Sequence, residues 1–263
     1  MPTPQKPSRT TTPGPQQSPR TTMPASQYSP RTTKPAPQRS AHTPNAPSAR
    51  TRVRRMPARA DYERETIEAI LDEGLVAHLG FSVEGQPYVV PTLHARVGEQ
   101  VYFHGSSASR TVRALAAGAQ MCLTVTLLDG LVLARSAVHH SVNYRSVVVL
   151  GQARAIVEPA EKMAAIEAFT ERLIPGRWDE VRSPTTKELK AIQVLALPLS
   201  EASAKLRSGP PVDDEEDYAL DTWAGVIPLS PVAGEPTPDE RLSEGIAPSP
   251  ATRAWVARRD SGS

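Results

Sequence analysis

The chain has 263 residues, a net charge of +2, 27 prolines and one cysteine, Cys122. A single cysteine excludes an intramolecular disulfide framework and a cysteine-based metal centre, and no run of about 18 apolar residues offers a membrane-spanning helix. The N-terminus has no apolar signal core, so a reducing, cytoplasmic location is the expectation.

The charge is unevenly placed. Residues 1–60 hold eleven of the 30 basic residues and no acidic one, leaving nineteen basic against 28 acidic residues in the remainder. About half of the prolines also lie in that first segment, among Ser, Thr, Gln and Arg. Such a composition has too little apolar surface to offset the entropy of ordering. Residues 1–58 are therefore expected to form a disordered tail. Within it, Ser-Pro-Arg-Thr-Thr at 18–22 recurs at 29–33, a period far too short for a solenoid unit. Met56, just ahead of the first periodic segment, is a sensible alternative start. The acidic remainder argues against a nucleic-acid-binding domain, so nucleic acid could be met only through the basic tail.

The folded part is expected over 59–245, with a flexible C-terminus over 246–263. Tyr62, Ile67, Ile70 and Leu71 suit one helical stripe, closed by Gly74. Strands follow at 75–83, 87–96 and 100–104, joined by tight glycine-containing turns, which predicts an antiparallel meander. A helix is expected to 117, then strands at 119–128 and 131–137, and a β-rich run over 143–157. Helices at 160–173 and 185–190 alternate with late strands at 192–197 and 202–206. The segment from 208 onward, rich in proline and acid, is expected to wrap the surface. Six to eight antiparallel strands with flanking helices describe a mainly β (α+β) chain forming a small split barrel.

Two segments carry the polar groups. In the first, a strand ends at His104, Gly105 opens a turn, and Ser106, Ser107 and Ser109 precede Arg110 at the start of a helix. Hydroxyls, free helix N–H groups and a guanidinium suit a phosphate, whereas ordinary capping needs only one serine. The Gly-Lys-Ser/Thr core of a Walker loop is absent. In the second segment, Asn143, Tyr144, Arg145 and Ser146 follow His139 and His140. Asn143 and Arg145 share a strand face, where amide and guanidinium groups can bond a heterocycle; a polar barrel rim is the plainer reading. Adjacent histidines in a strand point to opposite faces, so no metal site is expected. His78, in an apolar strand, reads as a core histidine, and His94 could face either ligand or solvent. The run 213–217 is acidic and reads as solvated surface. No nucleophile elbow and no dinucleotide fingerprint occurs.

These segments together resemble the pyridoxamine 5′-phosphate oxidase-like, flavin-binding split-barrel family, in its flavin-nucleotide-binding or nitroimidazole-resistance-related branch. The likeness rests on Pro91-Thr-Leu-His94, on 102–110, on 140–149, and on 206–211 and 218–228 with Trp223; it spans roughly 60–245. It implies a homodimer with FMN at the subunit interface. It would place Ser106, Ser107, Ser109 and Arg110 on the phosphate, and Pro91, Thr92, Leu93 and His94 along the isoalloxazine ring. Asn143, Tyr144, Arg145 and Ser146 would approach the flavin or the substrate space. The characteristic arginine-rich C-terminal ending of the oxidases themselves is missing, so vitamin B6 oxidation is not implied. The expected activity is a flavin-dependent oxidoreductase acting on a small molecule, with a nicotinamide or other electron donor. A non-catalytic flavin protein, a deazaflavin protein and a haem-binding split barrel stand as alternatives. The last would need an axial histidine among His94, His104, His139 and His140.

Overall fold

The structure, a computed structural model, describes residues 45–260. The expected repeat at 18–33 and most of the expected tail lie outside the described residues.

Helix α1 (Arg64–Glu73) begins where the Asp61 carboxylate accepts from the Glu63 N–H at 2.8 Å and from the Thr66 hydroxyl at 3.1 Å. It buries the expected stripe of Ile67, Ile70 and Leu71. Tyr62 lies ahead of the helix, and its hydroxyl accepts the Val53 N–H at 2.9 Å. Ser48 donates to Glu201 at 2.5 Å and Thr51 is buried, so 48–53 are already held by the domain ahead of the expected boundary at 59. After α1, and after the two-residue strand β1 (Ala60–Asp61) that precedes it, come β2 (Val76–Val83), β3 (Gln86–Val97) and β4 (Gln100–Ser106). The β2–β3 loop is Glu84-Gly85, both with positive φ, the conformation that matches strand twist in a two-residue hairpin.

Helix α2 (Arg110–Ala116) leads to β5 (Gln120–Leu133), then β6 (Ser141–Gln152), the short β7 (Arg154–Ala155) and α3 (Pro159–Leu173). The strands expected at 119–128 and 131–137 are one long strand. Its register against β6 shifts between Leu128 and Gly130, so Asp129-Gly130 forms a bulge rather than a turn. Helix α4 (Thr186–Ala191) opens with a reciprocal capping box between Thr185 and Glu188. Strands β8 (Ile192–Pro198) and β9 (Ala202–Arg207) follow. The segment beyond carries β10 (Gly225–Pro228), and the stretch expected to be a flexible C-terminus carries helix α5 (Pro250–Asp260).

The sheet is antiparallel throughout, in the order β1-β9-β6-β5-β2-β3-β4-β8-β7, with β10 joined to β5. It is a split barrel that stays open, with ten strands instead of six to eight. The surplus comes from β1, β7 and β10, each four residues or fewer. The main core fills the inside, where α1 and α2 pack Leu71, Val112 and Leu115 against Phe103, Leu123, Val147 and Leu197. A second core lies under α3, joining Phe169 and Ala165 to Ala95, Tyr102 and Val194. Among the described residues no helix is long and apolar enough to cross a membrane.

The outer face of β3, β2 and β5 has no such cover. Val76, Val89, Leu93 and Leu128 are exposed there, Val89 to 71%. The same face carries His78, Ser82 and Thr124, so it mixes aliphatic and polar side chains.

Candidate functional site

The β4–α2 turn is shaped from within. A Cβ on Gly105 would come within 2.9 Å of Cγ2 of Val112, so only glycine lets the chain turn this closely over α2. The Ser109 hydroxyl accepts the Val112 N–H at 3.1 Å and caps the helix. The Ser106 hydroxyl accepts the Ala108 N–H at 3.3 Å, and Ser107 donates its hydroxyl to the Ala191 carbonyl at 3.3 Å. All three expected serines therefore serve the turn's own geometry. Each hydroxyl keeps further hydrogen-bonding capacity, since it is both donor and acceptor.

Arg110 is different. Its guanidinium lies 4.3 Å from the centroid of the Tyr88 ring and donates to the Tyr88 hydroxyl at 3.1 Å. Tyr88 is itself stacked on Phe81 at 5.5 Å between centroids. Among the described residues no carboxylate pairs with Arg110, which is exposed. A cation stacked on an anchored aromatic, with the rest of its fork open, is preorganised for an external anion. Tyr88 was not among the expected residues. The two-residue Glu84-Gly85 turn, which registers Tyr88 opposite Phe81, is the signal that points to it.

On β3, Pro91 and Leu93 face outward and are exposed, and Thr92 is half-buried. His94 stands apart from them. It is 1% exposed, and its Nε2 lies 2.9 Å from the Leu71 carbonyl at the end of α1. Burial pushes its pKa down; the Leu71 contact opposes this only in part. The expected roles of two histidines are exchanged: His94 is the core histidine, and His78 is exposed on the outer face of β2. Arg172 supports the same helix end, donating to the carbonyls of Leu71 at 3.0 Å and Gly74 at 2.7 Å.

The opening of β6 divides by face. Tyr144 and Ser146 turn outward, and the Ser146 hydroxyl donates to the Lys205 carbonyl at 3.2 Å. Asn143, 8% exposed, turns inward; its amide donates to the Gly209 carbonyl at 3.2 Å and its oxygen accepts from Arg207. Arg145 also turns inward and is gripped by two carboxylates. It donates to Asp129 at 2.8 and 3.0 Å and to Glu73 at 2.5 and 2.8 Å. Those hydrogen bonds, Glu73's first, raise its pKa further above the ordinary arginine value. Asn143 and Arg145 do share a face, as expected, but the fold already uses both.

The histidine pair has local partners too. The His140 Nδ1 lies 3.0 Å from the Ser136 carbonyl, and the His139 Nδ1 lies 3.7 Å from Asp213. Asp213, expected as solvated surface, has a side chain that is fully buried. It accepts from the Arg135 N–H at 3.0 Å, the Arg135 guanidinium at 3.1 Å and the Ser136 N–H at 3.4 Å. His139, Asp213 and Asp217 offer ligand atoms within 4.8 Å of one another. Within this group Asp213 is paired with the Arg135 guanidinium.

With this geometry in view, comparison with known proteins places the chain. A family model described as pyridoxamine 5′-phosphate oxidase matches residues 63–206, more than half of the chain, and the chain belongs to that family. Two solved structures resemble it over most of its length. The flavocytochrome Anf3 from Azotobacter vinelandii is 46% identical, with a TM-score of 0.76, covering 80% of this chain and 98% of that one. The FAD and heme binding protein from Mycobacterium smegmatis is 37% identical, with a TM-score of 0.72, covering 74% of this chain and 96% of that one. No curated protein matches the chain.

Proposed function

We propose that this chain is a flavin- and haem-binding split-barrel protein that moves electrons from a reduced nicotinamide or similar donor to a small-molecule acceptor. The observation that carries the flavin half is Arg110: an exposed guanidinium, stacked on Tyr88 beside a serine-rich turn, with no acidic partner among the described residues. Its fork would grip the phosphate next to the ribityl chain. FMN and FAD share that phosphate, and the mass of the flavin released on denaturation tells the two apart. Pro91 and Leu93 would supply an apolar wall for the ring, and Tyr144 and Ser146 would reach it from β6.

The haem half is supported by the two relatives, one a flavocytochrome and one named for FAD and heme. The outer sheet face fits a flat apolar ligand, since it combines exposed aliphatic side chains with an exposed imidazole, that of His78. When bound, the flavin would take up electrons in pairs and release them singly, and the haem would carry them one at a time. The chain's own part is to hold the phosphate, orient the ring and exclude water from the face between. A homodimer with the cofactors at its interface belongs to the same proposal, because Val76, Val89, Leu93 and Leu128 stand exposed together on one face. Equilibrium sedimentation of the flavin-loaded protein should give twice the chain mass.

The test is the visible spectrum of the purified chain, before and after addition of FMN, FAD and haemin. Flavin bands together with a Soret band are expected. A protein that takes up neither cofactor overturns the proposal, and uptake of flavin alone removes its haem half.

A further inference from the structure

We propose that His139, Asp213 and Asp217 bind a divalent transition-metal ion, zinc being the best match, which pins the C-terminal strap to the loop ahead of β6. The three residues come from two segments distant in sequence. His139 lies in 134–140, between β5 and β6, and the two aspartates lie in 208–224, between β9 and β10. Their ligand atoms all stand within 4.8 Å of one another. This reading is independent of the flavin and haem assignments.

The ring nitrogen of His139 is the telling group. Its Nδ1 is buried and has no hydrogen-bond partner. The nearest acidic atom is Oδ1 of Asp213, at 3.7 Å. As a donor, Nδ1 is too far from that oxygen for a hydrogen bond. As an acceptor, it turns a lone pair toward a carboxylate. A metal ion uses both lone pairs at once. Zinc holds nitrogen and oxygen ligands at about 2.0–2.2 Å, so two of them on one tetrahedral ion stand about 3.4 Å apart. The observed separation needs only a small closure. The two histidines do not chelate together, because the His140 Nδ1 is turned to the Ser136 carbonyl at 3.0 Å. His139 takes its co-ligands from the strap instead.

The carboxylates fit the same ion. The Asp213 side chain is fully buried and is oriented by the N–H groups of Arg135 and Ser136, at 3.0 and 3.4 Å, and by the Arg135 guanidinium at 3.1 Å. Arg135 is in turn stacked over Tyr218, at 4.9 Å from the ring centroid. Hydrogen bonds of this kind to a ligating carboxylate fix its direction. Asp217 is half-buried, and among the described residues its side chain makes no hydrogen bond or ion pair. Of the five consecutive acids at 213–217, Asp213 alone is ion-paired among the described residues. One guanidinium leaves this run strongly negative, and a dication offsets the repulsion between the two facing aspartates. One imidazole nitrogen with two carboxylates favours zinc or a neighbouring transition metal over calcium or magnesium. The His139 side chain is 29% exposed, which gives the ion a path from solvent.

The experiment is titration of the untagged, full-length chain with Zn²⁺ by calorimetry and with Co²⁺ by visible absorption, after a chelator has stripped it. Wild type, His139→Ala, Asp217→Asn and His140→Ala are compared, and circular dichroism of each metal-free variant certifies the fold. Wild type and His140→Ala are expected to bind a single equivalent, to give Co²⁺ the strong visible bands of a low-coordinate site, and to melt higher with zinc than without it. His139→Ala and Asp217→Asn should each bind at least about tenfold more weakly and lose both signatures. A wild type that takes up no zinc overturns the site, as does unchanged binding in His139→Ala. Loss of binding in His140→Ala alone also overturns it.

Discussion

Arg110, after Ser109 at the start of α2, and Arg145, after Tyr144 within β6, both invite assignment to a flavin. The fold treats them differently. Among the described residues Arg110 is held by Tyr88, whereas Arg145 is closed between Glu73, 72 residues away, and Asp129, 16 residues away. Neither carboxylate is visible from the local sequence around Arg145. An arginine's freedom to bind a ligand is thus decided by which acids the topology brings to it. Here the same topology that fills one guanidinium leaves the other open.

The contrast can be broken by substitution. Arg145→Ala would leave the facing carboxylates of Glu73 and Asp129 without their cation. Both are partly solvated, which softens the penalty, and a loss of about 2–3 kcal/mol in unfolding free energy is expected. Chemical denaturation measures it, and a variant of normal stability that has lost flavin would reverse the comparison. Arg110→Ala should do the opposite: stability nearly unchanged, flavin affinity lower by about 2 kcal/mol, roughly thirtyfold. Fluorescence titration with FMN and FAD reads this directly, and equal affinity would remove the phosphate assignment. Asn143→Ala, which deprives Arg207 of an acceptor and the Gly209 carbonyl of a donor, should cost about 1 kcal/mol of stability. Flavin affinity that fell with it would bring the inner face of β6 back into the site.

The smallest effect concerns pH. His94 is pushed below its ordinary value of 6.5 by burial, and His104 is lowered by the same cause. The folded state therefore binds fewer protons than the unfolded chain just below that value. The stability these residues support is present above it and is lost as pH falls through their folded pKa values. Thermal midpoints should be flat on the alkaline side and fall on the acid side. The fall should be shallower in His94→Gln, and an identical profile in that variant would assign the acid loss elsewhere.

Much of the fold is legible locally. The meander of β2, β3 and β4 follows from alternation and tight turns, and its observed bounds shift by only one or two residues. The exchange between His78 and His94 has a physical cause. On β2 the buried set is Ala77, Leu79 and Phe81, and the outward set of Val76, His78, Gly80 and Ser82 keeps the period of two, so alternation already puts His78 outside. A histidine judged only by its apolar sequence neighbours is assigned to the wrong face. The β5 bulge was hidden for a similar reason, since Asp-Gly reads as a turn unless the long partner strand is known. Within the site, the serine turn and Arg110 were legible because capping and anion-binding chemistry are local. The commitments of Arg145, Asn143 and Asp213 were not, because their partners lie 16 to 78 residues away.

Strand β10 has a role beyond its four residues. Strand β2 pairs with β5 only over 121–124, and β10 takes up the β5 rim at Gly130–Leu133, with the Leu229 N–H donating to the Asp129 carbonyl at 3.1 Å. Without it, that rim would offer unpaired N–H and C=O groups next to exposed Leu131. A chain trimmed before Gly225 would still contain every residue assigned to the site. Its expected defect is adhesive: slow, concentration-dependent association by strand addition, the behaviour of an unguarded sheet edge.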